Sequence, residues 1–222
     1  MYSTRVPKAL SPLFPEFVWE GTGAPVHLTF DDGPHPEWTP FVLDELARTG
    51  QKGTFFCVGE NIERHPDVFD RIRREGHAWG NHTMRHESGW ATPNRAYLRS
   101  YLECEALTGS DLFRPPYGRI ASPQARAIAR RSRIVMWTVL TGDFDPRRSA
   151  TECQLATERA LRPGAIVVMH DSAKAGPRLR ELLPGVLDVL SERGWSSAPL
   201  AMERPHSPED SDSLMVRSES GG

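Results

Sequence analysis

The stretch that decides the fold lies at residues 26–34 and reads VHLTFDDGP. Its apolar start is typical of a buried parallel strand, and the Gly33-Pro34 turn ends the strand directly after Asp31 and Asp32. Adjacent residues leave a strand on opposite sides, so a turn beginning at Gly33 lets one carboxylate reach a metal while the other faces a water molecule. The motif on its own is equally typical of an Asp-rich turn without function.

Apolar runs alternate with helical stretches along the rest of the chain, and this alternation predicts a parallel α/β architecture in a single domain. In a βα barrel, the carboxyl ends of the strands form the active-site face. Seven candidate strands are Val26–Phe30, Thr54–Val58, His77–Gly80, Leu112–Arg114, Arg133–Thr138, Ala165–Met169 and Trp195–Leu200.

Helix starts are indicated where a capping side chain precedes a residue that suits the first helical position, such as a proline, whose missing N–H is not needed there. Thr39, Thr92 and Ser122 each stand before a proline, and Ser149 with Glu152 has the spacing of a capping box. Pro184 lies inside the last helical stretch and predicts a break or kink there.

Length, composition and charge restrict the classes of function that are possible. With 222 residues and 38% apolar side chains, the chain can bury one core of barrel size. The formal charge of -2 indicates no nucleic-acid partner and no broad attraction to an anionic membrane. The longest aliphatic run, Ala165–Met169, is far shorter than the roughly 20 residues of a membrane span. Cys57, Cys104 and Cys153 lack metal-site spacing, which predicts buried free thiols.

The chain ends differ in composition from the domain between them. Residues 1–24 are rich in proline and glycine and predict an irregular arm packed on the barrel, before a catalytic domain at 25–202. Residues 203–222 form an acidic, serine-rich segment that predicts a disordered tail. No apolar segment typical of a secretory signal follows Met1, so the sequence predicts a cytoplasmic location, with export after processing as the alternative.

A second chemical motif reads HTMRH at residues 82–86. Two imidazoles four residues apart can converge on one cation from a helical turn. With eight histidines in the chain, two unrelated surface histidines are an equally reasonable interpretation of this spacing alone. Together with Asp32, however, His82 and His86 make a three-ligand set with open positions, for which zinc is the first choice among divalent metals.

Further polar groups stand where predicted strands stop. They are Arg114 within the stretch RPPYG, Asp143 before Phe144, and His170 before Asp171. Each alone could be a surface charge, a turn residue or a buried structural histidine. Their joint placement at strand ends favours a shared site.

In this order, the motifs resemble those of the polysaccharide deacetylases of carbohydrate esterase family four, zinc-dependent N-acetyl hydrolases that act on chitin, peptidoglycan and related glycans. The resemblance runs from about Val26 to Trp195 and rests on five stretches: TFDDGP at 29–34, HTMRH at 82–86, RPPYG at 114–118, Asp143-Phe144 and Met169-His170. It implies a distorted, incomplete (β/α)7 barrel, which is compatible with the seven candidate strands.

The resemblance also implies a role for each matching residue. Asp32, His82 and His86 would be the metal ligands. Asp31 would be the general base, oriented by Arg114, and His170 the general acid, paired with Asp143. The backbone N–H of Tyr117 would stabilise the oxyanion together with the metal, and Phe144 and Pro116 would line the substrate pocket.

Two positions depart from the family pattern. Phe144 stands where the family usually has tryptophan, and Leu140 stands where many members have an acidic residue. The leading hypothesis is the metal-dependent hydrolysis of N-acetyl groups on sugars or polysaccharides. An amidase or deacylase acting on a small N-acetyl substrate is the first alternative. A non-catalytic glycan-binding protein is the second, which the presence of both Asp31 and His170 disfavours.

Overall fold

Eight strands, all paired in parallel, form one curled sheet in the computed structural model, which describes residues 17–202. The order across the sheet is β1-β6-β5-β4-β3-β2-β8-β7, so β1 and β7 are its edges. The sheet and its surrounding helices make a single α/β domain, an open and distorted barrel as the sequence predicts. Residues 203–222 and most of the predicted N-terminal arm lie outside the described residues.

The strands are short and the helices mostly cover the outside of the sheet. The strands are β1 Phe17–Val18, β2 His27–Asp31, β3 Thr54–Cys57, β4 Ala78–Asn81, β5 Leu112–Phe113, β6 Arg133–Val135, β7 Val139–Leu140 and β8 Ile166–His170. The helices are α1 Trp38–Arg48, α2 Gly59–Arg64, α3 Pro66–Arg74, α4 Asn94–Thr108, α5 Ser122–Ile128, α6 Ala150–Ala160 and α7 Gly176–Glu192.

Six of the seven candidate strands are present, and the prediction at 195–200 is wrong. In that segment only Ser197 pairs, as an isolated parallel bridge to Val26. Ala198 donates a hydrogen bond to Val26 O, but the next residue is Pro199, which has no N–H to continue the ladder.

Two strands were not predicted, β1 at one edge and β7 at the other. The predicted strand at 133–138 stops at Val135, and the chain re-enters the sheet at Val139 on the opposite edge. Even when fully extended, three linking residues span no more than about 14 Å. β6, which lies next to the edge strand β1, must therefore lie close to β7 at the other edge, so the sheet curls into an incomplete barrel.

Only some of the helices begin where the capping residues in the sequence predict. Ser149 and Glu152 form the expected capping box, with Glu152 N–H donating to Ser149 Oγ at 3.1 Å. Helix α1 begins one residue before Thr39, whose side chain makes no cap. Pro184 does not end α7, which runs from Gly176 to Glu192 around it. The buried leucines and valines of this helix pack against the core, and such packing can outweigh a local propensity.

Alternate residues of β2 face opposite sides of the sheet. Leu28 and Phe30 join the large core cluster beneath α1 and α7, and Phe30 stacks on Phe55 with 5.0 Å between ring centroids. Thr29 and Asp31 instead face the barrel interior, where both contact the Arg114 guanidinium. This alternation places the Asp31 side chain in the barrel interior.

All three cysteines are buried and free, as the sequence predicts. Among residues 17–202, no helix combines the length and the apolar character that crossing a membrane requires.

Candidate functional site

The predicted site residues meet at the carboxyl ends of neighbouring strands. Asp31 ends β2, His170 ends β8, and the two residues are register partners in the parallel pair β2·β8. Arg114 follows β5 directly, and His82 follows β4. The structure therefore brings together the strand-end groups that the sequence analysis singled out.

Asp32, His82 and His86 form a compact cluster whose ligand atoms all lie within 4.8 Å of one another. The carboxylate oxygen Asp32 Oδ1 is 3.1 Å from His86 Nε2 and 3.7 Å from His82 Nε2. This oxygen is buried, and no group among residues 17–202 donates a hydrogen bond of normal geometry to it. An orphaned buried carboxylate oxygen beside two imidazole nitrogens fits a bound cation.

The tautomer of His82 supports the same conclusion. Its Nδ1 lies 2.8 Å from the carbonyl oxygen of Arg114, which can only accept, so Nδ1 carries the proton. In the neutral ring Nε2 then has a free lone pair, and that atom faces Asp32. Two electron-pair donors turned towards each other attract a cation, either a proton or a metal ion, and the cluster therefore fits a divalent metal.

Electrostatics keep Asp32 ionised for this purpose. Burial raises the pKa of its carboxyl group, but the imidazoles of His82 and His86 and the charge of His170 outweigh burial. The pKa consequently lies well below its ordinary value. A carboxylate that stays charged at all physiological pH values is a suitable metal ligand.

Backbone strain concentrates at this cluster. Among the described residues, the non-glycine residues with positive φ are Asp32, Thr83, His86 and Tyr117, with φ from 58° to 79°. Side chains other than glycine rarely adopt this region, and such strain collects at functional sites. At Asp32 it turns the chain sharply after β2, so adjacent carboxylates can serve two different partners.

The segment carrying the two histidines is a loop rather than the helical turn that their spacing suggested. Thr83 and His86 both have positive φ, which a helix excludes. Asn81 fixes the loop, because its side-chain oxygen accepts from Thr83 N–H at 2.8 Å while its amide donates to Tyr101 O. The imidazoles converge through these anchors, with 5.0 Å between ring centroids.

Asp31 is held by a buried cation. Arg114 is fully buried, and its Nη1 donates to Asp31 Oδ1 and to Thr29 Oγ1, both at 2.7 Å. The other guanidinium nitrogens donate to the carbonyl oxygens of Val135 and Met136, where the chain leaves β6. With all three nitrogens satisfied, Arg114 fixes one oxygen of Asp31 and balances its charge.

His170 is paired with Asp143, as the resemblance implied. The ring Nδ1 lies 2.8 Å from Asp143 Oδ1, and the backbone N–H of His170 donates to Asp143 Oδ2 at 2.7 Å. Burial lowers the pKa of His170, but the charge and hydrogen bond of Asp143, aided by the charges of Asp32 and Asp31, raise it to about 10. His170 therefore holds a proton at neutral pH.

Asp171 is a site residue to which the sequence analysis gave no role. Its buried carboxylate accepts from Gly33 N–H at 3.1 Å and from the hydroxyl of Thr39. A Cβ on residue 33 would lie 2.3 Å from Asp171 Oδ2, so only glycine fits here. Asp171 thereby holds the turn after Asp32 in place. Its position next to His170 was the one sequence signal that could have indicated a role for Asp171 in the site.

The remaining predicted residues line the same rim. Tyr117 lies in a short 3-10 turn, Pro116–Gly118, with its ring 4.7 Å from that of His86. Pro116 is buried beside it. Phe144 makes an edge contact with His170, at 5.2 Å between ring centroids. An aromatic wall therefore stands on each side of the carboxylates.

The geometry combines a candidate metal-binding triad, a carboxylate fixed by Arg114 and a protonated imidazole at the carboxyl ends of neighbouring strands. Such a set can activate water, stabilise an oxyanion and protonate a leaving group. These are the needs of amide or ester hydrolysis. The comparisons with known proteins agree with this chemistry.

The family model described as polysaccharide deacetylase matches residues 20–136. A chitooligosaccharide deacetylase of Rhizobium leguminosarum bv. trifolii is 35% identical over 191 residues, covering 77% of this chain and 87% of the relative. A peptidoglycan-N-acetylglucosamine deacetylase of Bacillus cereus is 35% identical over 156 residues, covering 67% of this chain and 56% of the relative. This chain thus spans little more than half the length of the Bacillus relative.

A solved structure is similar over most of the fold. The crystal structure of a peptidoglycan N-acetylglucosamine deacetylase superposes with a TM-score of 0.78 at 30% identity, covering 83% of this chain and 91% of the other. The family match includes Asp31, Asp32, His82, His86 and Arg114. On the sequence match, the relatives and the shared fold, the chain belongs to the polysaccharide deacetylase family.

Proposed function

We propose that this protein is a zinc-dependent hydrolase that removes N-acetyl groups from N-acetylated sugars or polysaccharides and releases acetate. The observation that carries the proposal is the Asp32–His82–His86 triad, flanked on one rim by Asp31 and His170. The two relatives whose names specify peptidoglycan N-acetylglucosamine and chitooligosaccharides support this class of substrate.

Zinc is the metal that we propose for the triad. Two imidazoles and one carboxylate are typical zinc ligands, and a three-ligand site leaves positions for water and substrate. When bound there, the ion would supply Lewis acidity that polarises the amide carbonyl and makes water easier to deprotonate.

Asp31 acts as the general base in this proposal. It takes a proton from the water whose oxygen attacks the carbonyl carbon. Arg114 holds Asp31 Oδ1 at 2.7 Å, so the carboxylate is already oriented before substrate binds. The Tyr117 N–H donates to the oxyanion that forms as the carbonyl π bond breaks.

His170 acts as the general acid. The amine is a poor leaving group until its nitrogen gains a proton, and His170 Nε2 delivers that proton as the C–N bond breaks. Asp143 holds Nδ1 at 2.8 Å, which fixes the ring and keeps it charged. The products are acetate and an amino sugar. The site is restored when Asp31 gives up the proton that it took from water and His170 takes up a proton, both by exchange with solvent.

Phe144 and Pro116 line the pocket for the acetyl methyl. Phe144 lies against His170, the proposed proton donor. Its phenyl ring supplies an apolar wall but has no N–H with which to hold a substrate or acetate oxygen. The pocket therefore selects a short acyl group by shape rather than by a hydrogen bond from this wall.

Acetate release tests the proposal. The purified protein is treated with a chelator, divided, and assayed with and without added zinc on chitooligosaccharides, peptidoglycan fragments, acetylated xylan and small N-acetyl compounds. We expect zinc-dependent release from the N-acetylated sugars and loss of that release in Asp31→Asn. Asp67→Asn, an exposed carboxylate in α3, is the matched control and keeps full activity.

Two results contradict the proposal. Release from small N-acetyl compounds alone indicates an amidase that uses the same site. Binding of glycans without any release, in zinc-loaded protein, indicates a non-catalytic binding protein.

A further inference from the structure

Arg178 lies in the first turn of α7 and has no carboxylate partner. It is the third residue of this helix, after Gly176 and Pro177, and the first turn contains no acidic residue. Among residues 17–202, no carboxylate forms an ion pair with it. A helix N-terminus disfavours a cation, because the helix dipole places partial positive charge there. The local environment within α7 therefore does not explain a partly buried arginine at this position.

The Arg178 guanidinium connects two segments that follow neighbouring strands. Its Nε donates to Asp143 O in the loop after β7, and its Nη2 donates to Lys174 O at 2.8 Å in the segment between β8 and α7. These segments carry the two members of the proposed acid pair, since Asp143 follows β7 and His170 ends β8. One planar group therefore spans the two parts of the chain whose side chains must stay aligned.

The bond to Asp143 O acts on the peptide that joins Asp143 to Phe144. Thr141 anchors the start of this loop, because its hydroxyl donates to Val168 O at 2.8 Å. Beyond that point, the orientation of the planar Asp143–Phe144 peptide decides where both side chains point. Its carbonyl oxygen is the atom that Arg178 holds, so the guanidinium fixes the plane of this peptide.

Both side chains attached to this peptide contact His170. Asp143 Oδ1 lies 2.8 Å from His170 Nδ1, and the Phe144 ring lies 5.2 Å from the imidazole between centroids. Asp143 is fully buried, so its position is set by the protein around it. A small rotation of the peptide would misalign the hydrogen bond to Nδ1, which weakens steeply with distance and angle.

We propose that Arg178 is a positioning residue for the proton donor, and that it keeps Asp143 aligned with His170 by holding the Asp143–Phe144 peptide against the start of α7. The inference rests on the proposed function, in which His170 is the general acid. Arg178 acts through Asp143 and not on the substrate.

Arg178 has two effects on His170, and their signs are opposite. The carboxylates that favour the protonated imidazole are those of Asp143, Asp32 and Asp31. The positive charge of Arg178 disfavours the protonated imidazole, so removal of that charge alone would raise the pKa of His170. Loss of the alignment of Asp143 would weaken the interaction that raises this pKa, and would lower it. The direction of the shift therefore distinguishes positioning from an effect of charge.

The test measures kcat, KM and the pH dependence of acetate release in zinc-loaded protein. The variants are Arg178→Met, Arg178→Lys and Arg193→Met. Arg193 is the matched control because it also donates to a backbone carbonyl, Glu158 O at 3.2 Å, but at the opposite end of α7. We expect Arg178→Met to lower kcat by about tenfold to a hundredfold with a smaller effect on KM, since a misaligned acid affects the transition state more than substrate binding. The alkaline limb of kcat/KM should move to lower pH.

Arg178→Lys keeps the charge and a donor, so it should restore part of the rate, and Arg193→Met should match the wild type. An alkaline limb that is unchanged or moves to higher pH in Arg178→Met would overturn the proposal. A lower free energy of unfolding without any change in kcat would overturn it too, because Arg178 would then only stabilise the fold.

A spectroscopic measurement separates this inference from the proposed function. A proton held between an imidazole and a carboxylate is strongly deshielded, so the Nδ1 proton of His170 gives a far-downfield proton NMR signal, which its loss in Asp143→Asn assigns. We expect Arg193→Met to keep this signal and Arg178→Met to lose it or shift it upfield. If no variant releases acetate but only Arg178→Met loses the signal, the proposed function fails and the positioning role stands. The same signal in both arginine variants overturns the inference.

Discussion

Two assemblies on the same rim use the same residue types for opposite purposes. In the Asp143–His170 pair, the imidazole Nδ1 faces a carboxylate at 2.8 Å. In the triad, Nδ1 of His82 faces a neutral backbone carbonyl at 2.8 Å, and the carboxylate of Asp32 lies on the Nε2 side. A carboxylate behind the ring favours a charged, proton-carrying imidazole, whereas a carbonyl behind it leaves a neutral ring with its lone pair pointing forward.

In the proposed function, the partner of Nδ1 distinguishes the imidazole that would donate a proton from the imidazole that would bind a metal. The Asp143–His170 pair is satisfied within the protein. The triad is not, because Asp32 Oδ1 lacks a hydrogen-bond donor among the described residues. Substitutions in and around the two assemblies test this difference.

The largest effect is expected from His82→Ala. Loss of one of three ligands should strip the metal, and turnover should fall to that of chelator-treated protein, a larger loss than the roughly 10²–10³-fold that follows removal of one oxyanion donor. Elemental analysis measures the metal content, and acetate release measures the turnover. His65→Ala, at the start of α3, is the control and keeps its metal. Full metal content in His82→Ala would contradict the assignment.

Asp143→Asn probes the other assembly. The carboxylate raises the pKa of His170, so its loss lowers that pKa and His170 deprotonates at a lower pH. The alkaline limb of kcat/KM should shift downward, and turnover should fall by roughly 10²–10⁴-fold, while metal content stays unchanged. Asp145→Asn is a matched control, because that carboxylate pairs with Arg147. An unchanged alkaline limb and rate would show that His170 is not the acid.

Thr39→Val tests whether the clamp at Asp171 serves the triad. Removing the hydroxyl deletes a hydrogen bond to Asp171, which holds Gly33 next to Asp32. We expect zinc affinity to fall by about tenfold, as for other residues that support metal ligands. Competition with a chromogenic chelator measures it. Thr49→Val, which removes a hydroxyl that donates to Glu45 O and Leu46 O at the end of α1, should not change affinity. Equal affinities in the two variants would assign the clamp to stability alone.

His77 adds a third imidazole environment, since it is buried and contacts no carboxylate among residues 17–202. Burial, aided by Lys52, lowers the pKa of His77 to about 4. The folded state thus resists protonation, and the free energy of unfolding should drop as pH falls from about 6.5 towards 4, by about 1–2 kcal/mol at pH 5. His77→Gln should lose this part of the pH dependence and keep its turnover at pH 7. Urea unfolding at pH 7 and pH 5 checks it, and an identical pH dependence would contradict the assignment.

The sequence reveals most of the site because its residues stand beside strand ends. Asp31 and His170 each follow an apolar run, and a parallel sheet places such ends on one edge. The loop conformation at 82–86 could not be foreseen, since it depends on Asn81 and on positive φ at Thr83 and His86. Spacing alone suggested a helical turn.

Other features depend on long-range contacts that leave no local pattern. β1 and β7 have two residues each, too few to show any periodicity, and they form because the curled sheet offers them partners. The Thr39-Pro40 pair predicts a helix cap, yet the Thr39 hydroxyl donates a hydrogen bond to Asp171, 132 residues away in the chain.

The register of β2 against β8 also bears on biosynthesis. Asp31 and His170 become neighbours only when two strands separated by most of the domain pair in parallel. Contacts of such high sequence separation form slowly, and a chain emerging from the ribosome cannot make them until its last strand is available. The edge of β2 that faces β8 stays unpaired until β8 is made, although its other edge can already pair with β3. A chain that stops before β8 therefore lacks both this strand partner and the proposed proton donor, His170.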